Sequence, residues 1–567
     1  MYRQALNMFA ACAAAVVALF AVTTPLSSYA DGEKRLMALV IMTDGLRADT
    51  VESGRMPNLE RLRAGKWMPG YKSAWTLGGQ VSPGSIPSSA PNHVSIATGY
   101  GVPTHGLTSN KQLAAGVFTA KPTWLKRIVD AKPGATALFV YSWWPDANLY
   151  PAEGVEFMQS PKNEDDEPNA SALSLRLSGA DAPDATLWFI DAPDVAGHAR
   201  NFYPMSSQYL AAAETTDRYI GMGLDAIASR STFADEDWLV AVVSDHGGYA
   251  NQHGIVQSGN MASHSVPIVI CGTGMTQGRI PGVPYNFCVA ANVLGHFGVT
   301  VPDLEATPVD GAPEPPARTL NDGLAVYLPF DGGTAANAVS GSGVTPEPST
   351  GTAPTFNDNG MCGKYMNLPS GAYLKLTGTD AGSLAYEDSG RSFTAVVWTR
   401  HNGQAAGTDP VLFGNKNWAS GRNAGVAFLA RMKRTFKVGG RNKDYEGAGF
   451  NVGDGTNRLD VGPFDNEGSS VWTFHAVRRT DDGVITVYQG RSNGILGWTS
   501  GTFDGFTLAT GLPFCIGQDG TGGYGKKFVG GVDDFALWTR GLTHDDIRRI
   551  YDAGRKGHDL GSLVKAR

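Results

Sequence analysis

The chain is predicted to form two domains of different class: an α/β domain on a mostly parallel sheet, then an all-β jelly-roll sandwich. Three observations predict this. At 567 residues it is too long for one ordinary domain. Its first half alternates short apolar runs with helical patterns, the texture of strands joined by helices. Its second half strings together short strand-like runs between Gly, Asn and Asp turns. Glycine, 72 of 567 residues, is nearly twice the roughly 7% average and suits many turns.

The elements follow in order. Arg3, the apolar run 9–22 and Ser28-Tyr29-Ala30 before Asp31 read as a secretory signal over residues 1–30. That run is shorter than the roughly 20 residues needed to span a bilayer, and no later run is longer and apolar enough. The expectation is a secreted, periplasmic or cell-surface protein with no membrane span. The α/β domain is placed at 31–301. Leu39-Val40-Ile41-Met42, Leu187-Trp188-Phe189-Ile190, 239–243 and 266–271 read as buried strands. Met56-Pro57-Asn58-Leu59 opens a helix with proline in its first turn, and Ile220, Leu224 and Ile227 mark one face of another. Residues 302–321, with Ala312-Pro313-Glu314-Pro315-Pro316-Ala317, read as a stiff linker. The sandwich is placed at 322–560, with strands at 393–399, 471–477 and 485–488. A helix closes it, announced by the capping pair Thr543 and Asp546.

Net charge is −7 with no long charged run, so nothing implies a nucleic-acid partner. Beyond the signal there are four cysteines. An exported chain can pair Cys271 with Cys288 and Cys362 with Cys515, or keep all four as buried thiols.

Chemistry concentrates in the first domain. Asp44, Asp194, His198, Asp245 and His246 each follow a strand-like run, and His253 comes soon after. In open α/β sheets ligands gather at the carboxyl ends of strands. Such a sheet would collect these side chains at one rim, and Asp and His in equal number suit two divalent cations of the zinc type. Ser89 falls at a predicted helix start, where backbone amides favour an alkoxide or a phosphate oxygen.

Ser89-Ala90-Pro91-Asn92-His93, Thr98-Gly99, Pro103-Thr104-His105-Gly106 and Asn110 resemble the nucleophile segment of the nucleotide pyrophosphatase/phosphodiesterase group, in the alkaline phosphatase superfamily. There a threonine precedes x-Pro-Asn-His; serine keeps the hydroxyl. Asp44-Gly45-Leu46-Arg47, Pro193-Asp194-Val195-Ala196-Gly197-His198, Ser244-Asp245-His246-Gly247 and Gln252-His253-Gly254 resemble the group's other motifs. The resemblance covers about half the chain. It implies an alkaline phosphatase-like fold and a phosphoester substrate. Ser89 would be the nucleophile, and Asn110 a donor to a phosphoryl oxygen. Asp44, Asp245, His246 and Ser89 would hold one cation, and Asp194, His198 and His253 the other. His264, in Ser263-His264-Ser265-Val266-Pro267, is the alternative last ligand. His93 and His105 are read as structural.

The resemblance implies phosphodiester hydrolysis through a phosphoseryl intermediate. A phosphomonoesterase or phosphonate hydrolase is the alternative, with Arg47, Lys111 and Arg200 as candidate phosphate cations. The aromatic residue that often follows the nucleophile in nucleotide-cleaving relatives is Ala90 here, leaving Tyr141, Trp143 and Trp144 as a stacking wall or as core. His93 stands where sulfatases carry arginine, which argues against formylglycine. In the second half, 324–331, Asn415-Lys416-Asn417-Trp418 and 531–538 resemble a concanavalin A-like domain of laminin G type. That implies glycan, surface-protein or calcium binding, with Asp533 and Asp534 as a calcium contact or a solvated pair. A third reading is an adhesion protein that has lost catalysis.

Overall fold

The computed structural model describes residues 34–564, apart from 52–54, 115–120, 150–152, 203–205, 250, 255–262, 313–318, 379–391, 405–407, 439–440, 463–468, 482, 492–495 and 504–509. The signal expected at 1–30 and the proline-rich centre of the linker therefore lie outside the described residues.

The first domain is built on one sheet. Its strands are β1 (Arg35–Thr43), β2 (Lys72–Gln80), β3 (Ala137–Tyr141), β4 (Val155–Gln159), β5 (Ala185–Ile190), β6 (Glu236–Ser244), β7 (Ser265–Gly272) and β8 (Gly278–Arg279). Their order is β4-β3-β5-β1-β6-β7-β2-β8. Only β7 opposes its neighbours, β6 and β2; the other pairs are parallel. The sheet is thus mixed, with a parallel centre. The continuous apolar runs have a simple cause. Met37, Leu39 and Ile41 of β1 enter one core, and Ala38, Val40 and Met42 enter the other. A parallel sheet covered on both faces needs apolar side chains at every position.

Register then sets the site. Thr43, the last residue of β1, is level with Ile190 of β5 and Ser244 of β6. Three neighbouring strands therefore end on one line, and the residues after them share one rim.

The second region holds two antiparallel sheets. One runs Thr345–Pro348, Leu374–Thr377, Cys515–Ile516, Val411–Gly414, Gly425–Val438, Arg441–Gly453, Arg458–Val461. The other runs Thr355–Asn357, Tyr365–Leu368, Gly530–Trp538, Phe393–His401, Thr473–Arg479, Val484–Arg491, Leu496–Thr502, with Leu324–Leu328 also paired to Gly530–Trp538. Aromatic side chains of the two sheets meet: the ring centroids of Phe413 and Phe535 are 5.7 Å apart, those of Phe393 and Phe450 6.1 Å. The helix His544–Gly554 carries the expected capping box between Thr543 and Asp546.

At the start of the linker Ala306 donates to the Gly99 carbonyl (2.9 Å), Gly101 to Glu305 (2.7 Å) and Ala312 to the Arg279 carbonyl (2.9 Å), so the chain is strapped to the first domain as far as Ala312. Two expectations, the cysteine pairing and a solvated Asp533–Asp534 pair, need correction. The four cysteines are free and buried. Cys271 and Cys288 lie in the cores on opposite faces of the sheet, which keeps them apart. Cys515 sits in a strand of one sheet, while the Cys362 thiol faces the Gly554 carbonyl at the end of the closing helix. Asp533 and Asp534 are not solvated. Both are buried; Asp533 accepts from the Cys362 amide, and Asp534 from the Tyr327 hydroxyl and the Leu560 amide. They serve separate partners, and among the described residues they join no group of three metal-type side chains.

Candidate metal centre

Each expected side chain reaches the rim by a short route. Asp44 directly follows β1, and its amide donates to the Ile190 carbonyl. Asp245 and His246 follow β6, and the Asp245 amide donates to Thr43. After β5 the chain enters the helix Ala192–Ala199, where Asp194 and His198 lie one turn apart. Ser89 is the first residue of the helix Ser89–Thr98, as expected, with Ser88 as its cap residue. Asn110 closes that helix start: its carboxamide oxygen accepts from Ser88 Oγ (2.8 Å) and from the Ala90 amide (3.0 Å).

The donor atoms converge. His246 Nε2 lies 3.2 Å from Asp44 Oδ1, 3.2 Å from Asp245 Oδ2 and 3.3 Å from Ser89 Oγ. His198 Nε2 is 3.4 Å and His253 Nε2 3.8 Å from Asp194 carboxylate oxygens. The His246 and His253 rings stack at 4.0 Å, which joins the two groups. These separations exceed the ~2.7–2.9 Å of a charge-assisted hydrogen bond. All but the 3.8 Å of His253 lie close to the roughly 3.3–3.4 Å edges of a tetrahedron whose bonds to zinc are about 2.0–2.1 Å. Asp44 Oδ1, Asp194 Oδ1 and Asp245 Oδ2 are buried with no hydrogen-bond partner. The residues present therefore fit divalent cations.

Tautomers agree. Nδ1 of His198, His246 and His253 faces the carbonyl of Asn251 (3.1 Å), Gly247 (2.8 Å) and Pro87 (2.7 Å) respectively. A carbonyl only accepts, so Nδ1 carries a proton, and in the neutral ring this leaves the lone pair on Nε2, which faces the carboxylates. Burial lowers the His246 pKa to about 3, which keeps that imidazole neutral. Asp194 is pushed up to about 7 by burial and by Asp245, against the pull of His198. Burial and the charges of Asp245 and Asp194 also raise Asp44 well above the usual carboxylate range. Carboxylates crowded in a dry rim need positive charge among them.

His264 stands apart. It lines a cavity of about 400 Å³ with Gln80, Ser82, Ser85 and Tyr285, and among the described residues it belongs to none of the groups of converging donors. His105 is structural as expected, accepting at Nδ1 from the Leu107 amide and meeting Ser95 Oγ at 2.9 Å. Of the candidate phosphate cations, Arg47 is buried and held by Asp49 and the Gly248 carbonyl, whereas Lys111 and Arg200 are exposed. Tyr141 is core; Trp143 is half-buried with its ring edge-on to His93, and Trp144 is exposed.

Two residues escaped the reading of the sequence. His93 does lie within its helix, yet its Nε2 faces Asp245 Oδ2 at 3.3 Å and Asp44 Oδ2 at 3.5 Å. The signal was a histidine four residues after Ser89, one helical turn on. Phe202 is fully buried, and its ring fills the space that a Cβ would need at Gly45 (2.9 Å), Gly197 (2.5 Å) and Gly248 (2.1 Å). The glycines in three different ligand motifs are thus shaped around one ring, which also meets His198 and His253 edge-on at 5.4 and 6.1 Å.

Residues 38–261 match the family described as type I phosphodiesterase / nucleotide pyrophosphatase. That family hydrolyses phosphoesters and normally depends on divalent metals. No curated protein sequence matches the chain. Among solved structures, murine ectonucleotide pyrophosphatase / phosphodiesterase 5, as an inactive variant in complex with AMP, is similar at 13% identity over 49% of this chain and 97% of that one, with a TM-score of 0.36. An alkaline phosphatase superfamily protein from Vibrio parahaemolyticus is similar at 15% identity over 48% of this chain and 69% of that one, TM-score 0.36. Domain 4 of AbnA, an extracellular arabinanase from Geobacillus stearothermophilus in complex with arabinotriose, is similar at 20% identity over 40% of this chain and 98% of that one, TM-score 0.29.

Proposed function

We propose that the chain is an exported phosphodiesterase that uses Ser89 as nucleophile and works with two divalent cations of the zinc type. One observation carries this reading: three imidazoles turn Nε2 toward crowded carboxylates beside one serine hydroxyl, and Asp44 Oδ1 and Asp194 Oδ1, which His246 and His253 face, are buried with no hydrogen-bond partner. Asp44, Asp245, His246 and Ser89 would hold one cation, and Asp194, His198 and His253 the other. Cations bound there lower the pKa of the Ser89 hydroxyl and stabilise charge that builds on the phosphoryl oxygens.

Ser89 Oγ attacks phosphorus in line. The bond to the leaving oxygen breaks as the serine–phosphorus bond forms, giving phosphoserine. Water then cleaves that bond and restores the serine, so two inversions give net retention. Asn110 has its carboxamide oxygen engaged by Ser88 and Ala90, so its NH₂ end is the one left for a phosphoryl oxygen. Amides at the start of the helix Ser89–Thr98 add to this.

The state of Arg47 favours a diester. A monoester presents an extra charged oxygen that wants a nearby cation, and Arg47 is committed to Asp49. The paired assay is bis-p-nitrophenyl phosphate against p-nitrophenyl phosphate on metal-replete protein, with metal content measured alongside. Faster turnover of the monoester would overturn the diester reading; absence of bound metal would overturn the centre itself. The second region is proposed to hold the enzyme on a glycan or surface protein, on its sequence resemblance alone. Glycan-array binding by the full chain checks this, and an array without hits would remove the glycan arm.

A further inference from the structure

We infer that His93 is an additional ligand to the cation held by Asp44, Ser89, Asp245 and His246, and that Asp146 is the residue that orients it. The inference rests on the two-cation reading and adds a donor that reading lacks.

Its first support is shared geometry. His93 Nε2 is 3.3 Å from Asp245 Oδ2, and that same oxygen is 3.2 Å from His246 Nε2. The two imidazoles thus address one carboxylate oxygen at equal range. Asp44 is bridged in the same way, Oδ2 to His93 at 3.5 Å and Oδ1 to His246 at 3.2 Å. Like Asp245 Oδ2, which it faces, His93 Nε2 is buried without a hydrogen-bond partner. An imidazole N–H donating to either carboxylate would sit nearer, at about 2.7–2.9 Å. The observed spacing is that of neighbouring donors around one ion.

The second support is independent. His93 Nδ1 lies 3.0 Å from Asp146 Oδ1, and both side chains are fully buried. This is the carboxylate–histidine arrangement that fixes a metal-binding tautomer: the carboxylate accepts the hydrogen bond from Nδ1–H and leaves the lone pair on Nε2 for a metal. The three expected ligand histidines share that polarity, each through a backbone carbonyl. His105 has the reverse polarity, with Nδ1 accepting from an amide, and lies away from the carboxylates. His93 therefore sorts with the ligands.

Two elements fix the ring. Asp146 belongs to the short helical turn Trp144–Asn148, just past the end of β3 at the same rim. Phe189 packs on the imidazole at 4.7 Å and Trp143 stands edge-on at 5.7 Å, so the ring has little room to turn away.

The test begins with wild-type protein, which removes any concern over folding. Zinc X-ray absorption should count four imidazoles over two bound zinc ions; a count of three overturns the inference while leaving the two-cation reading intact. Absence of bound zinc overturns that reading instead. Two variants follow. His93→Gln should bind the tighter-bound or weaker-bound member of the pair, whichever belongs to Asp44 and Asp245, at least ~100-fold less well, and Asp146→Asn ~10–100-fold less well. In the cobalt-loaded protein both should change the visible ligand-field spectrum. Unchanged affinities with an unchanged cobalt spectrum in folded His93→Gln would assign the residue to packing alone.

Discussion

Lys416 and Asp534 of the second region and the rim carboxylates of the first domain are buried in opposite ways. In the second region two buried charged groups, Lys416 and Asp534, find their partners close by. Lys416 is fully buried, and its ammonium donates to the Gly421 carbonyl and to Asn451. Asp534 accepts from Tyr327 and Leu560. In the first domain Asp44, Asp194 and Asp245 are crowded at one rim, each with an oxygen that nothing in the protein satisfies. Leaving a buried polar atom unpaired costs about 1–3 kcal/mol. Stability alone does not explain several in one place, whereas a ligand at that place does. The comparison teaches how to tell a structural buried charge from a functional one: by where its hydrogen bonds go.

Four experiments sharpen or break that contrast. Ser89→Ala has the largest expected effect: turnover of a diester should fall at least ~1,000-fold, about 4 kcal/mol in the barrier, while both cations stay bound. Near-normal turnover would exclude Ser89. Next, His253→Ala should lose one equivalent of metal by elemental analysis and His264→Ala none; the reverse pattern would move the ligand to His264. Phe202→Ala should destabilise the first domain by about 3–5 kcal/mol in urea unfolding, since it empties the space shared by three glycines. Restored stability on adding Gly248→Ala to that variant would support the shared-space account, and a further loss would count against it.

The smallest effect belongs to the second region. Burial lowers the Lys416 pKa to about 7, below the ordinary lysine value of 10.5. Between those values the unfolded chain binds more protons, so this group makes stability rise with pH across that window, by at most about 1.4 kcal/mol per pH unit. Lys416→Met should flatten the slope in pH-dependent melting of the full chain. An unaltered slope would mean that Lys416 stays charged.

Much of this was legible in the chain. The strand runs ending before Asp44, Asp194 and Asp245 could be read because a sheet buried on both faces demands uninterrupted apolar side chains. The Thr543–Asp546 capping box could be read because both partners lie within one turn. Ser89 at a helix start followed from the same local logic. What stayed hidden depends on distance. The antiparallel course of β7 leaves no mark on an apolar run that looks the same in either direction. The cysteine spacing permitted a bridge that the intervening sheet forbids.

Local composition and spacing therefore determined which segments become strands and helices and which polar side chains end them. Those choices rest on forces acting over a few residues. The tertiary structure alone decided that the ends of β1, β5 and β6 fall level, that His93 and Asp146 turn toward the same carboxylates, and that the Phe202 ring excludes a Cβ from three separate motifs. Each of these arises when segments far apart in the chain pack together, and contact across that distance leaves no periodic trace in the sequence.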